Sequence, residues 1–312
     1  MAKPLEYNAT LVERIDLTPS LSIFKVQGDP DVKAHHESFV AGQYVVLGLN
    51  NEERPDLGSV RRPMSIVSAP EETGPLEFYI RYVNHPESDN PLTHLLWEVG
   101  AGARMYCGPR IVGKFTLEDT VGADDSRLKI CVAAGTGLAP FLSYARSACL
   151  RDPHRRLEDF VILHGASYPA DLGYREEMEQ LAAAKGLHYF PTVSRPKEAP
   201  EWRGDTGRVE DYFLPERLLE LERRIGRPEG SLRPSSSAVF ICGLQGTIGK
   251  TVVRLLSRGF VPENRKLQRA LEAESLAPSL FFEQYDTTPV VDLKDEELMA
   301  DLRRQLREAL AD

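Results

Sequence analysis

Two guanidiniums open the stretch Arg61-Arg-Pro-Met-Ser65, directly ahead of the β-like run Ser65-Ile-Val-Ser68. Arginines at the mouth of a strand present planar forks of N–H donors, a geometry suited to an anion. A second concentration of chemistry is Gly135-Thr-Gly-Leu-Ala-Pro140. Two glycines let the backbone turn sharply and approach a ligand, and Pro140 suits a first helical turn, where its missing N–H costs nothing. Exposed N–H groups and the helix dipole then favour a pyrophosphate. This pattern falls short of the full dinucleotide fingerprint, and the same residues also read as a plain tight turn.

Further along, Ser194-Arg195 closes an apolar run, and Arg208 follows in Gly204-Asp-Thr-Gly-Arg-Val209. Together the two arginines suit bidentate recognition of a 2′-phosphate; singly, each reads as a solvated surface charge. Cys242-Gly-Leu244 ends another apolar run. Its glycine would let a flat ring come close, while a buried cysteine is often only a small hydrophobe.

The elements that must position these residues fall into two groups. In the first third, YNATLVERIDL, LSIFKVQG, SFVAGQYVVLGL, PMSIVSAP, LEFYIRYV and ARMYCGP are short, rich in Val, Ile, Tyr and Phe, and separated by turn residues. That spacing predicts a small barrel or sandwich. One helix interrupts it over residues 90–100, where Leu92, Leu95, Leu96 and Val99 share a face ahead of Gly100. An acidic, turn-rich linker near residue 120 follows, and strands then alternate with helices: LKICVAA, PFLSYARSACL, FVILHG, DLGYREEMEQLAAAKG, LHYFPTVS, AVFICG, TIGKTVVRLLSRG and SLFFEQYD. Such alternation predicts a parallel α/β sheet, with ligands at the carboxyl edge of its strands. In the terminal DLKDEELMADLRRQLREAL, Leu298, Leu302 and Leu306 recur every four residues, with acids early and arginines late, in keeping with the helix dipole. This amphipathic helix either docks on its own domain or forms a dimer or partner contact.

Composition narrows the class. A chain of 312 residues, 42% apolar and 27% charged, is that of a globular protein of about two domains. No window approaches the roughly 18 consecutive apolar residues of a membrane span. The amino terminus lacks the apolar core of a secretion signal, and four scattered cysteines read as reduced thiols, which together predict a cytoplasmic location. Their spacing offers neither a zinc site nor an iron–sulfur cluster, and no metal site is expected. A net charge of −9 argues against a nucleic-acid partner.

Taken in order, AGQYV, RRPMS, EFYIRYV, NPLTHLL, GPRIVGKF, AAGTGLAPF, TVSRP, CGLQG and FFEQY resemble the conserved blocks of the ferredoxin–NADP(+) reductase family, over roughly the first 286 residues. CGLQG and Glu283-Gln-Tyr285 look closer to plastid-type members than to short bacterial ones. The resemblance implies a β-barrel FAD-binding domain over residues 1–122, an α/β parallel-sheet NADP-binding domain over 123–291, and a C-terminal helical extension over 292–312. By motif match, Arg62 binds the FAD pyrophosphate, flanked by Pro63 and Met64, and Ser65 hydrogen-bonds near flavin N5. Tyr79, Ile80 and Arg81 match the strand along the cofactor, and Leu92 and Thr93 the helix start whose hydroxyl helps hold the phosphates. Gly135, Thr136, Gly137, Ser194, Arg195, Arg208, Gly243 and Leu244 match contacts to NADP(H). Cys242 and Glu283 match the catalytic pair beside the nicotinamide, and Tyr285 the ring that covers the flavin.

Two departures stand out. Ser167 occupies a position where many bacterial members carry an arginine, which throws the nucleotide onto Arg195 and Arg208. Met64 stands where the family usually stacks a tyrosine on the flavin; a thioether can cover the face but offers no hydroxyl. The activity implied is hydride exchange between NADP(H) and flavin N5, coupled to a separate ferredoxin or flavodoxin docked on a basic patch, for which Arg110, Lys114, Arg265, Lys266 and Arg269 are candidates. The alternative is the reductase component of an oxygenase or another multi-subunit redox complex using NAD(P)H. A third reading is a flavin-binding regulatory module.

Overall fold

The computed structural model describes residues 4–32, 38–284 and 288–311. The chain divides into two compact units, Met1–Asp119 with Ala139–Arg155, and Thr120–Leu138 with Arg156–Asp312.

The first unit is built on antiparallel strands β1 (Ala9–Thr18), β2 (Leu21–Gly28), β3 (Tyr44–Asn50), β4 (Ser59–Ser65), β5 (Leu76–Arg81) and β6 (Arg104–Cys107). Their order is β4-β3-β6-β1-β2-β5, so β4 and β5 are the two edges of a six-stranded sheet. The sheet curls until those edges meet: Ile66, just past β4, bridges Phe78 of β5, and the Val67 N–H donates to the Glu77 carbonyl at 2.8 Å. The result is barrel-like but not closed. Alternating residues from the strands fill the interior, with Leu11, Phe24, Leu47, Ile66 and Phe78 fully buried.

Helix α1 (Leu92–Glu98) plugs this core with Leu92, Leu95 and Leu96, the leucines at helical spacing in the sequence. Its carboxyl end is gathered by Arg14, whose Nη1 reaches the carbonyls of Leu96 (3.4 Å), Trp97 (3.0 Å) and Val99 (3.1 Å). A cation there satisfies acceptors that no helical N–H can reach and complements the dipole. Helix α2 (Ala139–Arg151) groups with this unit, although the strand–helix alternation reads it with the second. The reason is side-chain chemistry: Ser143 Oγ donates to the Ser68 carbonyl at 2.7 Å, Tyr144 to the Phe115 carbonyl, and Arg146 to Glu77 at 2.9 Å.

In the second unit, β7 (Leu128–Ala134), β8 (Phe160–Ala166), β9 (His188–Val193), β10 (Asp205–Thr206), β11 (Ser237–Cys242) and β12 (Leu280–Glu283) pair in parallel in the order β10-β9-β8-β7-β11-β12. The central strands are nearly continuous buried runs, as parallel sheets require. With them come α3 (Arg175–Lys185), α4 (Pro215–Arg224), α5 (Gln245–Leu256), α6 (Arg265–Ala270) and α7 (Glu296–Ala311). Helix α3 stops where Gly186 takes φ +77°, its N–H capping the Ala182 carbonyl.

Helix α7 docks on its own unit. Met299, Leu302 and Leu306 share one buried core with Val252, Leu255 and Leu256 of α5 and with Phe260, and Arg303 donates to the Ala270 carbonyl at 2.9 Å. The stripe through Leu302 and Leu306 is therefore buried within this unit. Asp295 caps the helix, accepting from the Leu298 N–H at 2.9 Å. No helix among the described residues is long and apolar enough to cross a membrane.

Buried on β8, His164 ties sheet to loop. Its Nε2 lies 3.2 Å from the Gly135 carbonyl and its Nδ1 3.0 Å from the Tyr189 hydroxyl. A carbonyl can only accept, so Nε2 carries the proton; in the neutral ring Nδ1 then accepts from Tyr189. Burial lowers the imidazole from its ordinary 6.5 to about 4, so the ring is neutral at pH 7.

Two stability measurements check this packing. Leu302→Ala is expected to lower the second unit's unfolding free energy by about 2–4 kcal/mol, and Leu310→Ala, at a half-exposed site, by less than about 0.5 kcal/mol. For His164 the unfolded chain binds more protons between about pH 4 and pH 6.5, so its contribution is full above that window and lost as pH falls through it. Between about pH 7 and pH 4.5 the wild type should lose about 2 kcal/mol more than His164→Gln in urea titrations. Parallel pH profiles would contradict the neutral, buried assignment.

Candidate cofactor and nucleotide sites

In the first unit the candidate residues gather at the seam between β4 and β5. β4 pairs with β3 on one side, setting Val45 opposite Met64 and Leu47 opposite Arg62. Among the described residues its other side meets β5 near Ile66–Phe78; continuing that antiparallel register brings Ser65 level with Tyr79 and Met64 level with Ile80. An edge of this kind offers main-chain donors and acceptors to whatever lies along it. Ser65, Tyr79 and Ile80 are buried, Met64 and Arg81 are half-buried, and Arg61, Arg62 and Pro63 are exposed. Arg62 Nη1 donates to the Arg61 carbonyl at 2.8 Å.

Beyond Arg81, Val83 links β5 to the start of α1. Its N–H donates to Thr93 Oγ1 at 3.4 Å, and its carbonyl accepts from His94 Nε2 at 2.8 Å. Thr93 spends its oxygen on the backbone, which leaves the hydroxyl proton as the group it can offer an acceptor. The His94 and Tyr82 rings stack with centroids 4.4 Å apart and planes 3° apart. Neither residue carries a motif legible in the sequence, because their pairing depends on where β5 ends. α1 also packs against β3 and β4. Arg62, Met64, Ser65, Tyr79, Arg81, Leu92 and Thr93 thus belong to three neighbouring elements at one end of the sheet.

In the second unit the sheet order reverses between β7 and β11, and the loops leaving those strands interlock. A Cβ on Gly137 would stand 2.0 Å from the Cys242 carbonyl oxygen, and one on Gly243 would stand 2.6 Å from the Ala134 methyl. Gly135 takes φ +55° and Gly243 φ +152°, which suit glycine. Ala133 pairs with Cys242 and Cys242 with Glu283, so the carboxyl ends of three strands converge. Cys242 Sγ lies 3.9 Å from Glu283 Oε2. Leu244, the residue before α5, is 75% exposed, and Thr136 is half-buried. Tyr285 lies outside the described residues.

The two arginines leave adjacent strands at one level. Val193 pairs with Thr206, so Ser194-Arg195 and Gly207-Arg208 emerge together. The Ser194 and Arg195 N–H groups continue the β8–β9 ladder onto the Ala166 (2.9 Å) and Ser167 (3.1 Å) carbonyls. The turn after Arg208 is seated by Val209, whose Cβ lies where a side chain at Gly165 would have to go, 2.7 Å from an added Cβ. It is pinned to α5 by Lys250 with the buried Glu210 (3.5 Å) and by Arg254 with Asp211 (3.0 Å). Sequence reasoning missed His164, Glu210 and Lys250; only the HG pair after an apolar run hinted at the first. Chemically, the first unit presents an exposed guanidinium and an oriented hydroxyl beside the edge strand β4. The second presents a glycine-lined cradle with two arginines on the same carboxyl edge.

Comparison with known proteins follows this geometry. Residues 131–252 match the family model described as the oxidoreductase NAD-binding domain. The chain is 34% identical to ferredoxin–NADP reductase B of Sorangium cellulosum over 229 residues, 73% of this chain and 82% of that protein. It is 29% identical to the phenol hydroxylase P5 protein of Acinetobacter pittii over 67% of this chain and 54% of that protein. Among solved structures, a ferredoxin–NADP(+) reductase from Neisseria gonorrhoeae with bound FAD and NADP superimposes with a TM-score of 0.68 at 20% identity, covering 88% of this chain and 97% of that one. The glycine loops, the antiparallel and parallel sheets and the extent of the identity agree: this chain belongs to the ferredoxin–NADP reductase family of oxidoreductases.

Proposed function

We propose that this protein is an FAD-dependent reductase that passes electrons between NADP(H) and a separate ferredoxin or flavodoxin. The observation that carries the reading is the shared carboxyl edge of the second unit's sheet, where interlocked glycine loops and the arginine pair Arg195 and Arg208 leave neighbouring strands. Close main-chain approach suits a pyrophosphate, and two guanidiniums suit an added 2′-phosphate.

The first unit's seam fits a second dinucleotide. Arg62 would hold the FAD pyrophosphate with Thr93 donating its hydroxyl proton, Tyr79 and Arg81 would lie along the cofactor, and Ser65 would hydrogen-bond near N5. Met64, half-buried against the core, would cover one ring face. Bound FAD supplies the conversion between a two-electron hydride and the single electrons an iron–sulfur carrier takes. The chain's own residues supply position: Cys242 and Glu283, held side by side, would flank the nicotinamide, and Leu244 would pack on the nucleotide. Arg110 and Lys114, both exposed, would help receive an acidic carrier.

The similarity to the phenol hydroxylase P5 protein favours one second reading, the reductase component of an oxygenase. Stopped-flow reduction by NADPH or NADH, followed by addition of ferredoxin or flavodoxin, separates the two. Rapid reoxidation by either carrier supports the first reading, and indifference to both supports the second.

Two variants test the assigned sites. Arg195→Ala should lower kcat/KM for NADPH roughly tenfold with NADH little changed; an unaltered preference would remove Arg195 from the nucleotide site. Met64→Tyr should retain FAD, read from the bound flavin spectrum, and shift its midpoint potential. Loss of FAD from that variant would show that β4 does not lie along the flavin.

A further inference from the structure

Arg195 does not stand alone at its edge. Its Nη1 donates to the Tyr168 hydroxyl at 2.7 Å, and its guanidinium carbon lies 5.5 Å from the centroid of the same ring. Because the phenol oxygen accepts from arginine, its own proton turns outward and donates to Glu198 Oε2 at 2.8 Å. Backbone geometry sets the triplet. The β8–β9 ladder runs on through the Arg195 N–H to Ser167, placing Tyr168 beside Arg195. A single helical turn, Pro196–Glu198, then folds Glu198 back, its N–H donating to the Arg195 carbonyl at 3.2 Å.

We propose that Tyr168 and Glu198 set the discrimination between phosphorylated and unphosphorylated nicotinamide coenzymes, Tyr168 by fixing the Arg195 fork and Glu198 by opposing the coenzyme's 2′-phosphate. The inference rests on the nucleotide site proposed above. A phosphate monoester brings nearly two negative charges at neutral pH, so it is drawn by the guanidinium and repelled by the carboxylate one phenol away. A 2′-hydroxyl meets no such repulsion, and a carboxylate at this edge can accept its hydrogen bond. The cluster therefore holds an element for each coenzyme, and its balance lies in side chains that carry no recognised motif. With Ser167 in place of a further arginine, Arg195 and Arg208 are the guanidiniums of this nucleotide edge that offset Glu198.

Glu198→Gln keeps an oxygen to accept from Tyr168 but removes the charge. The ratio of kcat/KM for NADPH over NADH is expected to rise roughly three- to tenfold, through a lower NADPH KM, and the gain should shrink as salt is added. Tyr168→Phe keeps the ring and loses the hydroxyl; the same ratio should fall roughly threefold, through a higher NADPH KM. A Glu198→Gln ratio that stays unchanged or falls, or a Tyr168→Phe ratio that stays unchanged or rises, overturns the proposal. Arg195→Ala run alongside separates the two levels. If it leaves the preference intact, the nucleotide site itself is wrong; if it collapses the preference while the other two variants do nothing, only the roles of Tyr168 and Glu198 fail.

Discussion

The second unit's site depends on two loops passing closer than side chains allow. β7 and β11 are hydrogen-bonded neighbours in a parallel sheet, so the residues that follow them compete for one space. The Cys242 carbonyl takes the position a side chain at 137 would need, and the Ala134 methyl takes that of a side chain at 243. Glycine at both places lets the crossing occur, and the crossing arranges the neighbourhood. It holds the 135–137 turn at the carboxyl end of β7, sets Cys242 beside Glu283, and carries Leu244 outward at the head of α5. His164 reinforces this from beneath by donating to the Gly135 carbonyl. A neutral imidazole suits that task because a charged one, wholly buried, would pay heavily in lost hydration.

Around that fixed centre, charge is arranged locally. The chain carries −9 overall, yet the edge that meets the proposed nucleotide presents Arg195 and Arg208, and the first unit's seam presents Arg61 and Arg62. Many carboxylates are engaged elsewhere: Glu222 accepts from the Gly230 and Leu232 N–H groups, Glu71 pairs with Arg151, and Asp29 pairs with Arg104. Net charge governs the distant field, while recognition responds to groups within about a Debye length. An acidic protein can for that reason hold phosphates at one edge.

Much of the fold was legible in the sequence because it rests on local residue types, turn signals and helical spacing. Short runs rich in Val, Ile, Tyr and Phe between turn residues marked the antiparallel strands, continuous apolar runs marked β7, β8 and β11, and Gly186 marked the end of α3. The glycine loop and the two arginines were legible because their residue types are costly or conspicuous. What escaped reading depends on partners far away in the chain. Arg14 looks like a surface charge on β1 until α1 brings its carbonyls within reach some eighty residues later. His164 looks like an ordinary core residue until β9 supplies Tyr189. Helix α2 reads with the strands around it, yet Ser143, Tyr144 and Arg146 tie it to the first unit. Tyr168 and Glu198 lie outside every motif, and only the ladder that continues through Arg195 brings them together.

The first unit shows the same division at the level of a sheet. Alternation determines which residues face inward, but it does not determine that β4 and β5, the outermost strands, will meet. That meeting follows from curvature, and the curvature is held by a small set of interior groups: Ile66 against Phe78, and the α1 leucines filling the space between. Among the described residues the two edges meet near Ile66 and Val67, directly after the Arg62–Ser65 stretch of β4. Under the proposed function FAD would lie along this seam, which would relate the incomplete closure of the barrel to the chemistry of RRPMS.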